Sequence, residues 1–144
     1  MDNRPGQVRE VIVYGDDYWE FYNERTEKVK RKINWTIGVV RDLPKVPEQY
    51  LKHIEGTDLY EIRVILGSNI FRIFCFFDKG RLVVLLNGFQ KKTQKTPKNE
   101  IERALTLKRQ YYEDQKKLYQ KHLGFHCNPG HRYRFRFTQG KSNI

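Results

Sequence analysis

The stretch LYEIRVILGSNIFRIFCFFDKGRLVVLLNGFQKKTQKTP, residues 59–97, decides the fold. Its three apolar runs are separated by two glycine-bearing turn signals, which predicts three antiparallel strands in a meander. Taking Ser68 and Asn69 as one hairpin loop and Lys79 and Gly80 as the next fixes a register. In that register Tyr60, Ile62, Val64, Leu66, Phe71, Ile73, Cys75, Phe77, Leu82, Val84 and Leu86 share one uncharged face. The other face receives Glu61, Arg63, Arg72, Asn87 and Phe89, with Asn87 opposite Arg72 and Arg63 diagonal to it. That face also carries Ile65, Phe74, Phe76, Val83 and Leu85, so it must be partly covered, leaving the charges at an edge or in a cleft.

Any one of these charges alone reads most simply as half of a structural ion pair. The group reads differently, because Lys91, Lys92 and Lys95 follow directly on the third strand and are delivered beside the arginines. Arginine in a cleft offers a planar fork for phosphate and a flat surface for a base. The whole chain agrees: 144 residues carry 28 Lys plus Arg against 17 acidic residues, for a net charge of +11. Such a balance favours phosphate-rich partners, RNA foremost, over small acidic metabolites.

The length fits a single domain over residues 1–144 with one core. With only Cys75 and Cys127, a disulfide framework is not expected and a reducing cytoplasm fits. The opening MDNRPGQVRE has no apolar signal region, and the longest greasy run, 70–77, is interrupted by Arg72 and too short for a membrane span.

Upstream, residues 8–14 alternate β-branched and charged residues and read as a first strand ending at Gly15. Trp19, Tyr22, Thr26, Val29, Ile33, Ile37 and Val40 then recur at helical spacing, giving one long helix or a broken pair that Pro44 stops. Pro47, Tyr50, Leu51 and Ile54 before Gly56 describe a short helix, with His53 on its surface. Downstream, Thr96 and Pro97 open a helix that runs through Ile101, Ala104, Leu105, Tyr112 and Tyr119 to about His122. The segment 124–144, alternating Arg with Tyr133, Phe135 and Phe137, is an extra strand or a disordered tail.

The strings Leu59-Tyr60-Glu61-Ile62-Arg63, Phe71-Arg72-Ile73-Phe74 and Leu85-Leu86-Asn87-Gly88-Phe89-Gln90-Lys91-Lys92-Thr93-Gln94-Lys95-Thr96-Pro97 resemble the RelE superfamily of toxins, in its HigB-like, phage-derived branch. The resemblance covers about residues 8–120 and is most specific in the Phe-x-Lys-Lys-Thr-x-Lys-Thr-Pro run. It implies a compact α+β fold, with an N-terminal strand and two helices on an antiparallel sheet and a C-terminal helix. It also implies ribosome-dependent cleavage of messenger RNA, and neutralisation by a small antitoxin, usually one with a helix-turn-helix domain. By position, Arg72 matches a phosphate-binding arginine, Glu61 and Arg63 lie on a strand that supplies charged site residues, and Lys91 and Lys92 lie on the active-site segment. Asn87 departs from the family, standing where many relatives of this branch have histidine, and the tail after Gly124 matches nothing in it.

Cutting RNA by attack of its own 2′-hydroxyl needs a base, charge to steady the phosphorane and an acid for the leaving 5′ oxygen, but no metal or cofactor. Glu61 is the candidate base, Arg72 with Arg63 the charge, and Lys91 or Lys92 the acid or phosphate ligand. Lys95 and Asn87 complete the RNA-contacting set, and Phe89 or Tyr60 offers a ring for stacking, against the plainer reading of core packing. His122, His126, Cys127 and His131 do not follow a common zinc spacing, so no metal site is expected. Two other readings use the same fold or charge: a ParE-like inhibitor of DNA gyrase, and a non-catalytic basic RNA-binding module.

Overall fold

A computed structural model describes residues 7–122. The calls on residues 124–144, including His126, Cys127 and His131, lie outside them. The elements run β1 (Glu10–Val13), α1 (Asp17–Asn23), α2 (Glu27–Asp42), β2 (Leu51–His53), β3 (Tyr60–Leu66), β4 (Asn69–Asp78), β5 (Leu82–Lys91) and α3 (Lys98–His122). They form one five-stranded sheet in the order β1-β5-β4-β3-β2, mixed because β1 runs parallel to β5 while the other pairs are antiparallel.

The helical stripe near the N-terminus resolves as a broken pair. Asn23 ends α1, and Thr26 opens α2 by accepting a hydrogen bond from the Val29 N–H at its Oγ1. Val29, Ile33, Ile37 and Val40 face the sheet as the spacing requires, but in α1 the buried residues are Tyr18 and Phe21, with Trp19 and Tyr22 half-buried beside them. Leu43, preceding Pro44, is extended and stops α2. The last carbonyls are answered by Arg9, whose guanidinium donates to Val40 O, Leu43 O and Pro44 O.

The first hairpin loop is Gly67–Ser68, one residue earlier than expected, since Leu66 pairs with Asn69. Gly67 supplies the left-handed φ of +60° that a primed two-residue turn needs. This one-residue shift of the loop moves each partner by two, so the faces of β3 and β4 are preserved. Arg63, however, lies directly opposite Arg72 rather than diagonal to it.

The second turn changes more. Asp78 pairs with Leu82, so the loop has three residues, with Lys79 at φ 54° and Gly80 at φ 79°. The extra residue inverts the near half of β5: Val83 and Leu85 join the α1/α2 core, while Leu82, Val84 and Leu86 join the opposite one. Between Ile73↔Gly88 and Cys75↔Leu85 a bulge then sets Leu86 and Asn87 together against Phe74, and the far half of β5 returns to phase. Arg72 consequently faces Phe89 and not Asn87.

The short helix expected after Pro47 is a single turn, in which Pro47 O accepts from Tyr50 N and Leu51 N, followed by the edge strand β2. Pairing with β3 overrides the local helical signals there, and His53 sits on that strand.

Two cores result. On one face α1 and α2 cover Ile62, Val64, Phe71, Ile73 and Cys75. On the other, Ala104, Leu107 and Tyr111 of α3 cover Phe74, Phe76, Leu82, Val84 and Leu86. Burial pushes the Cys75 thiol far up its titration range, which leaves it an inert core residue. The α3 helix is pinned by Tyr111 donating to the buried Asp78 carboxylate at 2.7 Å and by the two-bond contact of Arg103 with Asp17 at 2.8 and 3.0 Å. Among the described residues no helix is long and apolar enough to cross a membrane.

A Cβ added at Gly88 would lie 2.5 Å from Cδ2 of Phe21, whose ring is fixed in the core. Gly88→Ala should therefore cost about 1–3 kcal/mol in urea unfolding, as overpacking does. Combining it with Phe21→Leu should recover part of that loss. Tyr111→Phe, which orphans the buried Asp78, should cost about 1–3 kcal/mol by the same measurement.

Candidate functional site: an arginine row on the open end of the sheet

The sheet face that α3 packs on also carries the charges. Because side chains alternate, Glu61 and Arg63 of β3, Arg72 of β4 and Lys91 of β5 stand on this face, with Arg63 level with Arg72 and Lys91 two pairs further along beside Ile70. β2 adds Lys52, level with Glu61, a residue hidden from the sequence reading because its segment was taken as helix.

Glu61 is the organising group. Buried to 7% exposure, its Oε1 lies 3.4 Å from Arg63 Nε and its Oε2 3.7 Å from Arg72 Nε. Neither approach makes a hydrogen bond, so both buried Nε donors are unsatisfied in the protein alone. Arg72 is 4% exposed and anchored by one bond, from Nη1 to Phe71 O at 3.2 Å. Burial, assisted by Arg63, lowers its pKa, and Glu61 opposes that shift. Lys91 is also held below its usual pKa, first by burial and then by the charge of Arg72, with Glu61 pulling the other way. One carboxylate is thus set among Arg63, Arg72, Lys91 and Lys52, a pocket of positive potential with donors to spare.

The other expected residues are distributed around this row. Phe89 is level with Arg72 but packed edge-on to Phe74, with ring centroids 5.3 Å apart, inside the α3 core. Tyr60 lies on the opposite face, against Phe77 and His53. Lys92 lines a cleft beside α1, so the adjacent lysines serve different surfaces. Asn87, placed by the bulge, is buried and donates through Nδ2 to Glu100 O and Oε2 at the start of α3. Lys95 is exposed on the loop before α3. Among the described residues no group of three or more His, Cys, Asp or Glu side chains is placed to hold a metal ion.

Residues 20–109 match the family model described as Phage derived protein Gp49-like (DUF891). The chain belongs to this family. It is a phage-derived, toxin-like family of RelE character, and the matched span takes in every member of the arginine row. A toxin-like protein of this kind implies a cognate antitoxin as partner. No curated protein matches the chain significantly.

Replacing Glu61 with Gln leaves Arg72 buried without its counter-charge, so Glu61→Gln should lower thermal stability. Inorganic phosphate, taking up the freed guanidinium donors, should then raise the melting temperature of the variant more than that of the wild type. Equal responses in a phosphate titration would show that the row does not accept an anion.

Proposed function

We propose that the chain is the toxin of a toxin–antitoxin pair, of the HigB-like branch, and cuts messenger RNA on the ribosome by metal-independent attack of the 2′-hydroxyl. The observation that carries this reading is the pair of unsatisfied buried Nε donors of Arg63 and Arg72 beside one carboxylate, with Lys91 and Lys52 on the same face. Arginines so placed supply a fork for the non-bridging oxygens of a phosphodiester, and their charge counts for more in a half-buried site than in water.

The roles follow from position. Glu61, kept among cations, takes the proton of the 2′-hydroxyl. Arg72 and Arg63 carry the charge of the phosphorane. Lys91, whose proton is loosened by burial and by Arg72, protonates the departing 5′ oxygen. Lys95 meets a flanking phosphate, and Phe89 stiffens the strand beneath the scissile group. Orientation of the strand by the ribosome supplies much of the acceleration, which suits a site without a histidine. In this reading the protein acts in the cytoplasm and is silenced by a small helix-turn-helix antitoxin.

Mapping transcript 5′ ends after brief induction tests this directly. Wild-type protein should fragment messages at codon-related positions, and Arg72→Ala, at equal protein level and with its fold intact, should lose about 100-fold or more of that cleavage. Trapped gyrase–DNA complexes in place of cut transcripts would support the ParE-like alternative, and neither product would support a non-catalytic RNA-binding module. The lowered pKa of Lys91 also sets a pH sign: as pH rises, its proton is lost earlier than from an ordinary lysine, so single-turnover cleavage on ribosomes should fall on the alkaline side. Lys91→Arg should flatten that limb and lower the rate while RNA binding persists.

A further inference from the structure

On the α1 side of β5 lies a cleft of about 450 Å³ whose chemistry is the reverse of the arginine row. Its walls carry Asp17, Glu20, Glu24 and Glu100 against Arg25 and Lys92, on a chain of net charge +11. Two of the carboxylates are engaged, Asp17 by Arg103 at 2.8 Å and Glu24 by Arg25 at 3.3 Å. Glu20 and Glu100, neither in an ion pair among the described residues, define the cleft.

Asn87 adds a separate observation. It is 3% exposed and lines the same cleft. Both of its contacts at Glu100, the backbone carbonyl and Oε2, are acceptors, so the amide orientation is fixed with Nδ2 toward them. In this residue of the cleft lining Oδ1 therefore has no donor, a buried acceptor of the kind that proteins seldom leave unanswered.

A donor-rich cation satisfies this arrangement. Phosphate is repelled by the carboxylates, and among the described residues no group of three or more ligands is placed for a metal ion. Guanidinium presents parallel N–H bonds that can reach a carboxylate and an amide oxygen together, which a lysine ammonium does less well. β1 pairs with β5 only from Leu82 to Leu85, so beyond that point β5 has no strand on the cleft side, and an unpaired strand edge is what an extended peptide adds to. We propose that the cleft is a second binding site, an arginine-accepting pocket into which a protein partner inserts a side chain from an extended basic segment.

The test is an NMR titration of the isotope-labelled full chain with the peptide acetyl-Gly-Ser-Arg-Ser-Gly-amide, its lysine and citrulline counterparts, and adenosine monophosphate. The arginine peptide should move the amide signals of Glu20, Asn87 and Gly88 and bind more tightly than either counterpart. Glu20→Gln, an exposed change on α1, and Glu100→Gln should each weaken it about tenfold, the scale of one charge-assisted hydrogen bond. Unmoved cleft signals, equal binding of the lysine peptide, or a response of these signals to the nucleotide instead would overturn the proposal. Glu20→Gln leaves Arg63, Arg72 and Lys91 in place, so this result is read independently of whether the chain cuts RNA.

Discussion

Leu86 and Asn87 stand together against the single residue Phe74, and that one-residue excess sets the phase of everything that follows on β5. The three-residue turn before it would by itself carry Phe89 and Lys91 to the α1/α2 face. The bulge returns them to the face of Arg72, sends Gly88 under Phe21 and leaves Asn87 at the first turn of α3. A bulge beside a functional surface that re-aims a side chain is a recurrent device in sheets. Here it divides two adjacent lysines between a cationic row and an acidic cleft, so a single strand presents opposite potentials on its two sides.

The row itself is a balance between burial and charge. Arg63 and Arg72 are directly opposed on neighbouring strands, an arrangement that repels unless something negative lies nearby. Glu61 provides that charge, at distances too long to close a hydrogen bond. The protein thus tolerates two guanidinium groups in a half-covered site without satisfying their Nε donors, and the cores on both faces hold them in place. Membership of a phage-derived, toxin-like family accords with a small fold that stores cationic potential in this way.

Much of this was legible in the sequence, for identifiable reasons. Alternation places Glu61, Arg63 and Arg72 on one face whichever of two adjacent odd registers the first hairpin adopts, so misplacing its loop by one residue cost nothing there. The second turn differs in length and not in place, and its third residue puts Leu82, Val83, Val84, Leu85 and Leu86 in the opposite layers from those expected. A bulge has no sequence mark of its own, and neither did the pairing of Asn87 with Glu100. Lys52 was missed because Pro47 and Gly56 are real turn signals bracketing a segment whose strand state is imposed by β3.

The parallel pairing of Glu10–Val13 with Leu82–Leu85 joins the first strand of the described residues to their last. During synthesis β1 and the two helices therefore emerge long before the strand they must embrace, and the sheet closes only once β5 has left the ribosome. Lys91 is the final residue of that strand, so the cationic row is complete only once β5 has joined the sheet, with α3 following it. A nascent chain of this kind carries no assembled cationic row until β5 has emerged and paired with β4.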